Sequence, residues 1–77
     1  DIWWHIAAMF ERTGDLKEAL ATWRETELKF THAFGEVALP TLKAVRRRLR
    51  AQQALGDDQV AEHLAIVNHT ISRISGQ

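Results

Sequence analysis

Two sets of side chains in this sequence have the types and spacing to do chemistry, a run of cations and four histidines. Residues 43 to 50 carry Lys43, Arg46, Arg47, Arg48 and Arg50 with no acid among them. On a helix, Lys43, Arg46, Arg47 and Arg50 fall within about 100° of one another. Leu42, Val45 and Leu49 fall roughly opposite, and Arg48 lies on a flank. Such a strip suits carboxylates, because the guanidinium fork matches both oxygens of the anion. Two other uses compete with that one. Most cationic stripes are simply solvated polar faces, and some contact nucleic-acid phosphates. Ten acids balance ten bases, and no nucleic-acid reader motif accompanies the strip, so nucleic acid is the least expected partner.

The histidines, His5, His32, His63 and His69, make no i, i+4 pair, and no cysteine or HExxH accompanies them. His63 and His69 are six apart and sit on different faces of one helix, so neither a metal nor another cofactor is expected. Catalysis is not expected either. A nucleophile needs a base within hydrogen-bond reach, and a general acid needs a pocket that shifts its pKa. A chain of 77 residues has little room for such a pocket, and no motif surrounds its serines and threonines. Glu27 alone interrupts an apolar stripe; it is expected at the boundary, paired with a nearby base or reaching water. Asn68-His69-Thr70 matches a glycosylation sequon in form, but it lies inside a strongly helical segment and is discounted.

The elements that must position these residues are marked off by few breakers: Gly14-Asp15, Gly35, Pro40 and Gly56-Asp57. Four segments result, each with helical periodicity and none with strand alternation. In the last, Val60, Leu64, Val67, Ile71 and Ile74 form one stripe with Ala61 and Ala65 beside it, and Asp57 or Asp58 can cap the helix. Leu42, Val45, Leu49 and Gln52 share a face of the third segment, with Pro40 near its start. Leu16, Ala19, Leu20, Trp23, Phe30 and Phe34 form the stripe of the second. The first segment is apolar nearly all round, through Ile2, Trp3, Trp4, Ile6, Ala7, Ala8, Met9 and Phe10. Leaving its large side chains in water would forfeit roughly 1.5–3 kcal/mol each. Either one face packs on the second segment and the others lie against the end of the bundle, or, as is more expected, a second face is covered by a preceding helix or a partner chain, with self-association through Ile2, Trp3 and Trp4 as one form.

Composition bounds the class. Apolar residues at 45% and charged residues at 26% are globular values rather than disordered ones. The chain lacks cysteine, which fits a cytoplasmic protein, and has neither a membrane-length apolar run nor a signal-peptide pattern. It opens at Asp1 without methionine and is expected to be a piece of something longer. Residues 1–77 form a single helical domain.

Placing Gly14-Asp15 on Gly56-Asp57 sets a period of 42, the difference between 56 and 14. Ala19 then meets Ala61, Trp3 meets Val45, and Ala7 meets Leu49, whereas Phe10 meets Gln52 and Leu20 meets Glu62. Stacked helical hairpins are the architecture expected for such periods. The segment Trp3-x-x-Ile6-Ala7-x-x-Phe10-x-x-x-Gly14-Asp15-x-x-x-Ala19-Leu20-x-x-Trp23 resembles a tetratricopeptide repeat, with Thr31 near the place of its usual proline. The period is similar to the long repeats of kinesin light chains and of arrays attached to signalling ATPases, and Gly35, Pro40, Thr41 and Leu42 resemble their inter-repeat junction. The resemblance is closer in repeat 1 (about 1–36) than in repeat 2 (about 37–77), where Gln52 replaces the aromatic.

The resemblance implies an all-α fold of four antiparallel helices, as two stacked hairpins of a right-handed solenoid. Its concave groove would bind a partner peptide or helix without catalysis. Lys43, Arg46 and Arg50 would face that groove beside Trp4, Ala8 and Glu11, with Arg47 in the same cationic cluster, to grip an acidic or aromatic-bearing peptide. A free-standing four-helix docking or dimerisation domain is the alternative, and a small nucleic-acid-binding helical domain the remoter one.

Overall fold

The computed structural model describes residues 1–76. They form four α-helices: α1 (Ile2–Arg12), α2 (Leu16–Phe34), α3 (Leu39–Ala54) and α4 (Ala61–Ile74). A 3₁₀ turn at Asp58–Val60 leads into α4, and among the described residues there is no strand. The radius of gyration is 12.1 Å, close to the roughly 11.5 Å of a compact chain of this length. None of the helices is long and apolar enough to cross a membrane among the described residues.

Each helix begins and ends where local chemistry directs it. Asp1 caps α1 by accepting the Trp3 N–H at 2.7 Å, and Asp15 caps α2 through the Glu18 N–H at 3.4 Å. Asp57 accepts the Gln59 N–H at 3.1 Å and so caps the 3₁₀ turn; α4 proper starts four residues after that cap. α3 has no side-chain cap and starts instead with Pro40 in its first turn, where a missing N–H is harmless.

The turns that follow α1 and α3 share two closing bonds at the 42-residue spacing. Asp15 N–H donates to the Phe10 carbonyl at 2.9 Å and Gly14 N–H to that of Glu11 at 3.1 Å. Asp57 N–H donates to Gln52 and Gly56 N–H to Gln53, both at 3.0 Å. These are the paired closing bonds of a helix that stops on a left-handed residue. The φ angles, 83° at Gly14 and 101° at Gly56, explain why each turn holds glycine, since a Cβ there costs energy through its own backbone.

Packing gathers around α3. On one side Val45 and Leu49 join Val60, Val67 and Ile71 in a buried cluster flanked by Leu39, Leu42 and Leu64. On the other, Ala51 joins Ala7, Ala19 and Trp23, flanked by Trp4, Ala8, Phe10 and Leu20. The α4 stripe is buried through Ile71, but Ile74 is exposed, as is Phe34 at the end of α2. Two buried threonines complete the interior: Thr26 donates to the Thr22 carbonyl at 2.8 Å, and the Thr41 hydroxyl has no partner among the described residues.

Because a Cβ at Gly56 would meet no atom within 4 Å, Gly56→Ala isolates the cost of its backbone conformation. It is expected to lower unfolding stability by about 1–2 kcal/mol, read as a fall in urea midpoint. An unchanged midpoint would show that the left-handed residue does not set this turn.

Candidate functional site

Trp23 lies at the centre of the candidate surface and is fully buried. An indole N–H removed from water needs an acceptor, and Glu11 Oε2 supplies one at 3.0 Å. The other oxygen of the same carboxylate accepts from Arg47 Nη1 at 2.6 Å. One side chain of α1 thereby holds a side chain of α2 and another of α3. The Arg47 guanidinium also lies 5.4 Å from the Trp4 ring centroid and 5.2 Å from that of Trp23, within cation–π range. Trp4 meets Trp23 edge-on at 4.7 Å and stacks on Phe30 at 6.3 Å. Lys29 lies over Trp3 at 4.7 Å.

The structure therefore divides the seven residues expected to bind a partner. Trp4, Glu11 and Arg47 come together but are engaged with one another and with Trp23. Ala8 is half-buried against the same cluster. Lys43 and Arg50 are exposed. Arg46 lies between the strip and α4, with Nη1 donating to Asn68 Oδ1 at 3.5 Å and Nε buried without a partner. Burial, then the neighbouring Arg50 and Arg47, pulls the Arg46 guanidinium below its usual pKa. It remains a cation, since Arg does not deprotonate in proteins, and an arriving carboxylate would relieve the repulsion among the three guanidiniums.

Arg48, on the flank of the strip, turns to the opposite side. Its Nε donates to Glu27, which explains the carboxylate in the apolar stripe of α2, and its Nη1 donates to Gln52 at 2.7 Å. Beside this pair a cleft of about 380 Å³ opens among α2, α3 and α4, lined in part by Leu28, Thr31, Glu36, Thr41 and His63. Helical periodicity does not reveal this cleft, because its residues come from three helices; the interrupting Glu27 is its one signal in the sequence. Of the self-association residues, Ile2 is exposed, whereas Trp3 and Trp4 are half-buried. All four histidines are exposed, and no group of three or more potential ligands is placed to hold a metal among the described residues.

Glu11→Ala would leave the Trp23 N–H and the Arg47 guanidinium without their acceptor. A loss of about 1–3 kcal/mol is expected in chemical denaturation, with Glu11→Gln costing less because its amide oxygen can still accept from the indole. Equal losses for the two variants would contradict the role given to the indole bond.

Compared with protein-family models, curated proteins and solved structures, the chain matches none of them, so a reading of its function rests on its own residues.

Proposed function

We propose that this chain is a two-repeat segment of a tetratricopeptide-like solenoid that captures an acidic peptide or helix of a partner protein, and is not an enzyme. The two turns 42 residues apart, each closed by the same pair of backbone bonds on a left-handed glycine, support the repeat. So does the order of contacts. Glu11 meets Trp23 while Trp4 meets Phe30, and Arg46 meets Asn68 while Gln52 meets Asp57. Between α1 and α2 one number rises as the other falls, as an antiparallel hairpin would require; Asp57 lies in the turn before α4, and Arg46–Asn68 is the one of these contacts that joins α3 to α4 itself.

The observation that carries the binding reading is the uneven pairing of the strip. Arg47 is neutralised by Glu11, yet Lys43 and Arg50 make no hydrogen bond or ion pair among the described residues, and Arg46 sits among like charges. Long cationic side chains so placed can take carboxylates in fork geometry at little cost in rearrangement. A location in the cytoplasm goes with this reading. Exposed Ile2 and Met9 favour a second reading, in which the chain docks or dimerises through α1.

A peptide alternating Glu and Phe, titrated calorimetrically, is expected to bind, and the matching Lys and Phe peptide is not. Arg46→Ala with Arg50→Ala should weaken capture by at least about a hundredfold, since each charge-assisted hydrogen bond contributes roughly 1.5–3 kcal/mol, while helicity by circular dichroism stays unchanged. Undiminished capture would overturn the assignment. Salt-sensitive binding of duplex DNA in preference to the acidic peptide would move the strip to nucleic acid.

A further inference from the structure

Six threonines stand in the chain, and the two that line the cleft among α2, α3 and α4 behave unlike the rest. Thr13, Thr22, Thr26 and Thr70 each donate to a backbone carbonyl. Thr31 and Thr41 donate to none among the described residues, and Thr41 is buried, at 1% exposure. A buried hydroxyl without a partner costs stability that a valine of the same shape would not. Glu36, in the link between α2 and α3, and His63, on α4, line the same cleft. They too make no hydrogen bond or ion pair among the described residues. Four polar side chains thus border one space with their hydrogen bonds unmade, which calls for an occupant.

Charge and donor count specify that occupant. With His63 neutral, the lining is acidic by one charge, because Arg48 neutralises Glu27 and nothing neutralises Glu36. Leu42, Val45 and Val67 supply an apolar wall. The complement is one cation with several N–H donors and an apolar stem. An ammonium carries three donors and a guanidinium five. Glu36 offers two oxygens, and Thr31, Thr41 and His63 offer an acceptor each, so the guanidinium fits better. It is also less strongly hydrated than an ammonium and leaves water more readily. The cleft, at about 380 Å³, lies at the small end of the roughly 300–1,000 Å³ of ligand clefts, a size for one side chain. A second hollow of about 290 Å³ shares Glu27, Leu28 and Arg48 with it. The depression therefore runs on past the first hollow, as a backbone carrying that side chain would need, and Leu28, 66% exposed, borders both.

We propose that this cleft takes the guanidinium of an arginine side chain from a partner protein. Glu36 accepts it in fork geometry, and the two threonine hydroxyls and His63 meet its remaining N–H groups. The stem lies along Leu42, Val45 and Val67. A turn about χ1, between the two rotamers that a helical threonine adopts, presents the Thr41 hydroxyl. The site shares no residue with the outward cations Lys43, Arg46 and Arg50, and it does not depend on the two-repeat reading. An ion pair in contact with water contributes little, so a single arginine side chain binds here in the millimolar range.

Titration with Nα-acetyl-arginine N-methylamide, followed by nuclear magnetic resonance, tests this beside the citrulline and lysine analogues. The arginine probe should shift the amide signals of Thr31, Glu36, Thr41 and His63. The citrulline probe, similar in shape without the charge, should not bind, and the lysine probe should bind about threefold more weakly or worse. Glu36→Gln should weaken the arginine probe about fivefold. Thr41→Val should weaken it about threefold while the urea midpoint stays unchanged or rises. Equal binding of the citrulline or lysine probe, shifts confined to other residues, or undiminished binding by either variant would overturn the proposal. The chain with Arg46→Ala and Arg50→Ala should bind the arginine probe like the unsubstituted one, and Glu36→Gln should still capture the acidic peptide. Failure of the cleft and failure of the cationic strip are therefore separate results.

Discussion

Glu11 has two carboxylate oxygens, and the fold uses both of them. One accepts the indole N–H of Trp23, the largest fully buried side chain, and the other accepts Arg47. The packing of α1, α2 and α3 about Trp23 depends on that division. Without it, a donor would be left unsatisfied in a dry interior and a guanidinium would lie on two aromatic rings with no counter-charge. The ion pair by itself is a modest interaction, since both side chains retain contact with water. Its weight comes from the buried indole bond made by the same carboxylate and from the two rings beneath the guanidinium, which restrict where Arg47 can go.

The functional reading follows from this constraint. The five cations on α3 carry the same charge in sequence, but the fold sorts them. Arg47 is held inward by Glu11 and Arg48 by Glu27, while Lys43 and Arg50 remain in solvent. Arg46 lies between these states, its guanidinium in contact with Asn68 and its Nε without a partner. The internal pairs fix the direction of α3, and α3 in turn carries the outward cations as a row on a rigid element. Under the proposed reading, such a row would recognise charge by position more than by area.

Much of the fold was legible because its signals are local. The Gly-Asp pairs located both turns, since a left-handed residue followed by an N-cap depends only on adjacent backbone. The stripe from Val60 to Ile71 was legible from periodicity. What escaped depends on partners distant in sequence. Arg47 resembles its neighbours until Glu11, 36 residues away, selects it. Ala51 reads as a neutral position until Trp23 comes against it. Phe34 and Ile74 fit their stripes yet are exposed, because periodicity describes a face and not how far along the helix a neighbour reaches. The nearly all-round apolar character of α1 resolves into an inner side at Trp4, Ala7 and Glu11 and an outer one at Ile2 and Met9.

A double-mutant cycle on unfolding free energy, with Glu11→Ala, Arg47→Ala and both together, tests most directly whether one carboxylate couples the helices. The account expects the two losses to be non-additive by about 0.5 kcal/mol or more, as for residues within one hydrogen-bonded network. Losses that simply add would mean that Arg47 and Glu11 act independently, and that α3 takes its place for reasons other than the interaction described here.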